Sequence, residues 1–133
     1  MRVLVVEDDF ISRRLLCRYL QSHGECDVAV NGNEAVGAFK QVLLAGTRYD
    51  LVCLDIMMPG MDGQETLKRL RALEREHGIA DADRSRVIMT TALEDHDNVM
   101  AAFTNACDGY VVKPIEKRKF LETLQEIGLP ISV

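Results

Sequence analysis

The sequence predicts an α/β fold in which five helices wind over both faces of a five-stranded parallel sheet. Three observations carry that expectation. Short β-branched runs alternate five times with longer segments of helical period. Three of the short runs are almost wholly apolar, as strands covered on both faces must be. Glycines punctuate the ends of the helical segments.

The strands are expected at Val3–Val6, Asp27–Val30, Leu51–Leu54, Val87–Thr90 and Tyr110–Val112, of which the first, third and fourth are the apolar ones. Between them, Ile11, Leu15 and Tyr19 recur at helical spacing, as do Ala35, Phe39 and Leu43. Leu67, Leu70 and Leu73 follow, then Val99, Met100 and Phe103, then Phe120, Leu124 and Ile127. Gly24, Gly46, Gly78 and Gly128 stand where a left-handed residue commonly ends a helix. Asp62, with Glu65 three residues on, reads as a capping pair that opens the third helix. Right-handed crossovers leave few ways to wind five β-then-α units, and the flavodoxin-like strand order 2-1-3-4-5 is the one expected. The widest connection, Gly78 to Arg86, reads as a surface loop. No linker, repeat or low-complexity tract interrupts the pattern, so residues 1–133 read as one domain.

Bulk properties narrow the function. The 133 residues suit one core, and 47% apolar with 28% charged residues is a soluble globular composition. Sixteen Lys and Arg against 21 Asp and Glu leave a net charge of −5, which phosphate backbones repel, so no direct nucleic-acid partner is expected. The apolar run Val3–Val6 is too short for a signal peptide or a membrane span. Cys17, Cys26, Cys53 and Cys107 have no paired spacing and read as buried free thiols in a reducing compartment. A cytoplasmic protein without membrane association is the expectation.

In such a fold, chemistry belongs beyond the carboxyl ends of the strands. Strand one ends in Glu7-Asp8-Asp9, strand three in Asp55, strand four in Thr90-Thr91-Ala92 and strand five in Lys113-Pro114. Carboxylates, a hydroxyl and an ammonium therefore converge on one edge. Carboxylates so close need a compensating cation, and hard oxygen ligands suit Mg²⁺. A carboxylate can also act as a nucleophile and form an aspartyl phosphate, while a metal and a lysine neutralise the transferred group. Each residue has an ordinary reading as well. Glu7-Asp8-Asp9 could simply complement a helix dipole, Asp55 and Lys113 could be solvated charges, and Thr91 could be a β-former. It is their coincidence at matching ends of four strands that points to chemistry.

These same residues carry a family likeness. Val5-Val6-Glu7-Asp8, the run Leu54 to Gly63 with its D-x-x-M-P-x-M-D-G pattern, Thr91-Ala92 and Gly109 to Pro114 resemble the receiver domain of two-component response regulators. The likeness spans essentially the whole chain and is closest to the single-domain, chemotaxis-regulator type. It implies that Asp55 accepts a phosphoryl group from a sensor histidine kinase or a phosphotransfer protein. It further implies Mg²⁺ bound by Asp8 and Asp55, by the Met57 carbonyl, and by Glu7 through water. Lys113 would hold a phosphoryl oxygen, Thr91 would be drawn in to another, and Tyr110 would swing into the space Thr91 leaves. The Lys113–Pro114 bond is cis in the family. The readout would be the surface of the fourth predicted helix, fifth strand and fifth predicted helix, acting on a downstream protein target. Such a protein is no enzyme apart from promoting its own phosphorylation and dephosphorylation, and is a monomer or a weak phosphorylation-dependent dimer.

Several features stand apart from that likeness. The first acid is Glu7 rather than Asp. Met57 and Leu93, beside the expected phosphate, cannot orient an attacking water, so slow self-dephosphorylation is expected. Asp81-Ala82-Asp83 lacks the glycine and terminal glutamate of a calcium loop and reads as a solvated turn. Glu116-Lys117-Arg118-Lys119 puts three bases at a helix start, against the dipole preference; it reads as a solvated turn or a contact for an acidic partner. Met58, Met61, Met89 and Met100 read as packing, and the three histidines have no zinc spacing. An aspartyl phosphohydrolase would need a second acid two residues past Asp55, where Met57 stands. A flavin carrier would need a phosphate loop where the acids lie. A phosphorylation-independent scaffold would not need the complete set of acids, Thr91 and Lys113. With Ile131-Ser132-Val133 closing the chain and no output domain behind it, output by protein–protein contact is the expectation.

Overall fold

All strand pairings are parallel in the computed structural model, which describes residues 1–92 and 106–133. In chain order the elements are β1 (Arg2–Val6), α1 (Phe10–Leu20), β2 (Glu25–Ala29), α2 (Gly32–Leu44), β3 (Leu51–Asp55), α3 (Gly63–Glu76), a 3₁₀ turn (Asp81–Asp83), β4 (Arg86–Thr91), β5 (Gly109–Val112) and α4 (Lys117–Glu126). The sheet order is β2-β1-β3-β4-β5, as expected for the flavodoxin-like winding. Four helices are described. The segment expected to be helical around Val99, Met100 and Phe103 lies outside the described residues, and so does Leu93.

The sheet divides the core in two. One face packs Val6, Val52, Leu54 and Met89 against Phe39 of α2 and Leu67 and Leu70 of α3. The other packs Val3, Val5, Cys53 and Ile88 against Leu16 and Leu20 of α1 and Phe120 and Leu124 of α4. Every residue of β3 is buried, which accounts for its unbroken apolar run. Caps follow the sequence signals. Asp9 accepts from the Ser12 N–H at 2.8 Å, Asn31 from Glu34 at 2.8 Å and Asp62 from Glu65 at 2.9 Å. Glu65 does not complete a reciprocal box; its carboxylate meets Arg69 Nε at 3.2 Å instead. No described helix is long and apolar enough to cross a membrane.

Other expectations need correction. β2 begins and ends earlier than Asp27–Val30, because register pairs Arg2 with Glu25 and Val6 with Ala29. As an edge strand it keeps Val28 51% exposed. In α1 the residues facing the core are Leu16 and Leu20, and Ile11 is 75% exposed, so the Ile11–Leu15–Tyr19 stripe is the flank of the helix. Gly46, Gly78 and Gly128 have positive φ, as expected, whereas Gly24 does not; a side chain there would strike the Met1 carbonyl. Of the four free cysteines, Cys53 and Cys107 are buried and Cys17 and Cys26 only partly so.

The amino-terminal edge of the sheet is closed by buried ions. Arg71 of α3 donates to Glu74 (2.7 Å), Asp108 (3.2 Å) and the carbonyls of Ser85 (2.8 Å) and Ala106 (2.9 Å). Glu74 in turn accepts from the Ser85 N–H and Asp108 from the Val87 N–H. Arg71→Ala leaves two partly or fully buried carboxylates short of their cation, and urea unfolding should show a loss of about 3–5 kcal/mol.

The thiols give a second expected outcome. Burial, reinforced by neighbouring Cys17, pushes Cys26 from 9.0 up to about 11. Reaction with iodoacetamide requires the thiolate, so at pH 8 the folded chain should alkylate at Cys26 about a hundredfold more slowly than the chain in urea. The folded rate should keep climbing toward pH 11, whereas the unfolded rate levels above its ordinary pKa; peptide mass spectrometry reads both.

Candidate functional site

Parallel pairing puts the carboxyl ends of β1, β3, β4 and β5 on one edge, and the expected residues arrive there together. Glu7 follows β1 directly and is fully buried, its N–H held by the Ala29 carbonyl at 3.0 Å. Asp8, next in the chain, is exposed. Asp55 ends β3 and is 4% exposed. Thr91 ends β4 and is buried. Lys113 follows β5 at a cis peptide bond to Pro114.

The approach of α3 to this edge depends on a missing side chain. Gly63, the first residue of α3, donates its N–H to the Ile56 carbonyl at 2.9 Å. A Cβ at that position would collide with the Asp55 carbonyl and the Ile56 backbone. The glycine of the D-x-x-M-P-x-M-D-G run is therefore required by packing against the strand that carries Asp55.

One ammonium serves two carboxylates. Lys113 Nζ lies 3.1 Å from Glu7 Oε2 and 3.4 Å from Asp55 Oδ2. Asp55 Oδ1 accepts from the Met57 N–H at 3.3 Å, and Glu7 Oε1 from the Asp9 N–H at 3.2 Å. Glu7 Oε2 is buried and outside hydrogen-bonding geometry, so its interaction with Lys113 is an ion pair rather than a formed hydrogen bond. Desolvation, with Asp55 adding to it, pushes the Glu7 carboxyl from 4.5 up to about 7 against the opposing pull of Lys113. Burial works against the Lys113 ammonium, but the Asp55 and Glu7 carboxylates outweigh it and raise its pKa. Both shifts describe negative charge in excess of the cation present.

Glu7, Asp8 and Asp55 each offer an oxygen, and these three atoms lie within 4.8 Å of one another. Three hard oxygens, a negative excess and a buried carboxylate atom without a hydrogen bond fit a small divalent cation. Met57 sits in the loop after β3 and is 61% exposed. Thr91 Oγ1 donates to the adjacent Ala92 carbonyl at 3.1 Å. Tyr110 on β5 is 41% exposed.

Some of the surroundings were not foreseen. Arg13 donates to the Glu7 carbonyl at 2.9 Å and lies over the Phe10 ring, 5.5 Å from its centroid, so it fixes the acidic turn from α1. Its only sequence signal is its place four residues after the Asp9 cap. Asp81 and Asp83 are exposed at the ends of the 3₁₀ turn, remote from this edge, and Met58 and Met89 are core residues.

The fold is a doubly wound α/β sheet, and its carboxyl edge gathers an acidic cluster beside a lysine. A family profile described as the response regulator receiver domain matches residues 3–125, and the chain belongs to that family. Regulatory protein VanRB of Enterococcus faecalis is 34% identical over 96% of the chain, which spans 52% of VanRB's length. The chemotaxis protein CheY of Treponema pallidum is 30% identical over 95% of the chain and 81% of its own length. Among solved structures, the receiver domain of the histidine kinase CKI1 from Arabidopsis thaliana, complexed with Mg²⁺ and BeF₃⁻, superposes with a TM-score of 0.81. It is 26% identical and covers 95% of this chain and 88% of that one.

The raised Glu7 carboxyl ties stability to pH in metal-free protein. Its folded pKa, about 7, exceeds the ordinary 4.5, so the native state holds the proton more tightly. That contribution is complete below about pH 4.5 and is lost as pH rises through 7, on the order of 1–3 kcal/mol in all. Urea unfolding in EDTA across this range should show the decline in the unaltered chain and not in Glu7→Gln.

Proposed function

We propose that this chain is a phosphorylation-controlled switch of two-component signalling, in which Asp55 accepts a phosphoryl group from a histidine kinase or a phosphotransfer protein. The observation that carries the reading is the Asp55 carboxylate set 3.4 Å from Lys113 Nζ and within the three-oxygen cluster with Glu7 and Asp8. One Asp55 oxygen attacks phosphorus, a P–O bond forms, and the P–N bond to the donor's imidazole breaks, with the imidazole leaving and taking up a proton.

Residues of this chain have separate parts in that transfer. Met57 N–H keeps the Asp55 carboxyl oriented through its bond to Oδ1. Lys113, 3.4 Å from Asp55 Oδ2, would neutralise a phosphoryl oxygen, and Thr91 would donate to another once it leaves the Ala92 carbonyl. Asp8, Asp55, the Met57 carbonyl and, through water, Glu7 would hold Mg²⁺, which offsets phosphoryl charge when bound. Tyr110 answers the movement of Thr91, and the surface around β5 and α4 passes the change to a protein target. The chain acts on no other substrate, and its place is the cytoplasm.

The test is incubation with acetyl phosphate and Mg²⁺ followed by intact-mass measurement. One phosphoryl group should be gained, lost with EDTA and absent in Asp55→Asn. An unmodified chain after both acetyl phosphate and beryllofluoride treatment would leave a receiver fold used only as a scaffold.

A further inference from the structure

Thr90 is a buried polar side chain that the chemistry above leaves unused. Among the described residues, two buried side-chain atoms lack a hydrogen-bond partner: Glu7 Oε2 and Thr90 Oγ1. The first is accounted for by the Lys113 ammonium 3.1 Å away. The second has no such company, although Thr90 is 1% exposed. A hydroxyl taken from water without a partner costs free energy, and valine would fill nearly the same space without that cost.

Strand register places this hydroxyl. Asp55 pairs with Thr90, and Thr90 with Val111. The Ile56 N–H donates to the Thr90 carbonyl at 3.1 Å, which holds the two strands side by side at this point. Val6 pairs with Leu54, so Glu7 stands beside Asp55. Glu7, Asp55, Thr90 and Val111 thus form one row across β1, β3, β4 and β5. Cys53, Ile88 and Val111 pack on the side of α1 and α4, so by alternation Asp55 and Thr90 turn to that side as well. Thr91 turns to the other. Paired strands lie about 4.8 Å apart, a gap that a hydroxyl and a carboxylate bridge with a hydrogen bond between them. Of the two neighbours of Thr90 in the row, the Val111 side chain accepts nothing, and Asp55 is an acceptor.

Asp55 has room for this donor. Its Oδ1 accepts from the Met57 N–H at 3.3 Å, and its Oδ2 lies 3.4 Å from Lys113 Nζ. Both are long beside charge-assisted bonds of about 2.7–2.9 Å, and each carboxylate oxygen can accept twice. Resting on the function proposed above, we infer that Thr90 turns its O–H onto the Asp55 carboxyl and thereby sets how fast a phosphoryl group on Asp55 is lost. In that loss a water oxygen attacks phosphorus, the P–O bond to Asp55 breaks, and Asp55 leaves as a carboxylate. Inorganic phosphate carries away both hydrogens of the water. Negative charge grows on the Asp55 carboxyl as the bond breaks. A donor to the oxygen not bonded to phosphorus holds that charge better than it holds a neutral acyl oxygen, and so lowers the barrier. In the loading direction the same bond restrains the nucleophile, because it is strongest before the carboxylate gives up its charge. Thr90 acts on the leaving group, at the other end of the reaction from the attacking water.

The test loads the full chain with acetyl phosphate and Mg²⁺, removes the donor by desalting, and follows intact mass with time. Thr90→Val and Thr90→Ala should lose the phosphoryl group about three- to tenfold more slowly than the unaltered chain and should load no more slowly. Thr90→Ser, which keeps the hydroxyl, should decay at close to the unaltered rate. Decay is thus expected to sort by the hydroxyl, whereas a residue with a packing role alone would sort the variants by size. Urea unfolding identifies the variants that are folded, and Ala and Val each carry the comparison with Ser. An unchanged or faster decay in a folded variant without the hydroxyl, or a slow decay that Thr90→Ser shares, would overturn this inference alone. No loading of the unaltered chain would overturn the proposed function, and this inference with it.

Discussion

Two buried carboxylates compete for the Lys113 ammonium, and the arrangement of the whole carboxyl edge follows from that shortage. Glu7 is fully buried and Asp55 nearly so, at 3.1 and 3.4 Å from the same Nζ atom. A buried carboxylate without a full countercharge holds its proton more tightly or draws in a cation. The high Glu7 pKa is the first response, and the oxygen cluster completed by exposed Asp8 would allow the second. A Lys at this position suits the task better than an Arg: its compact charge on a flexible stem can address two acceptors that are not arranged as a fork.

The opposite edge of the sheet shows what the same fold does when function asks nothing of it. There Arg71 and Arg84 face Glu74 and Asp108, two cations to two anions, and backbone groups of Ser85, Val87 and Ala106 take up further donors and acceptors. That network has no surplus charge to recruit anything. The contrast localises the charge imbalance to the end where strands β1, β3 and β5 deliver Glu7, Asp55 and Lys113. Gly63 matters for the same reason, since it lets α3 close on β3 without displacing Asp55.

Much of this was legible because a parallel sheet converts order along the chain into position in space. Once β1, β3, β4 and β5 are placed, their final residues must meet, and Glu7, Asp8, Asp55, Thr91 and Lys113 do. Legibility failed where one pattern admits two phases. α1 has apolar residues at 10, 11, 15, 16, 17, 19 and 20, so periodicity alone does not choose between a stripe through Leu15 and one through Leu16. It failed at β2, where an exposed edge tolerates Glu25 and Asp27 within the strand and blurs its start. It also failed for Arg13 and Arg71, ordinary-looking helical arginines whose roles come from carbonyls and acids brought near by other parts of the chain.

The register of β4 and β5 bears on how a charge change at Asp55 would travel under the proposed function. Met89 pairs with Tyr110 and Thr91 with Val112, so Thr91 and Tyr110 share one face of the sheet as diagonal neighbours. The bond from Thr91 Oγ1 to the Ala92 carbonyl is a local, neutral one at 3.1 Å. A phosphoryl group carries about −1.5 to −2 charges and three strong acceptors, and hydrogen bonds to such an anion are roughly twice as strong as neutral ones. Thr91 thus has more to gain by turning toward a phosphorylated Asp55 than by staying with Ala92. Under that reading, the turn would vacate space on the face that Tyr110 occupies. A rotation of one buried hydroxyl would then bear on Tyr110, which is 41% exposed, and would reach the surface without any movement of the strands themselves.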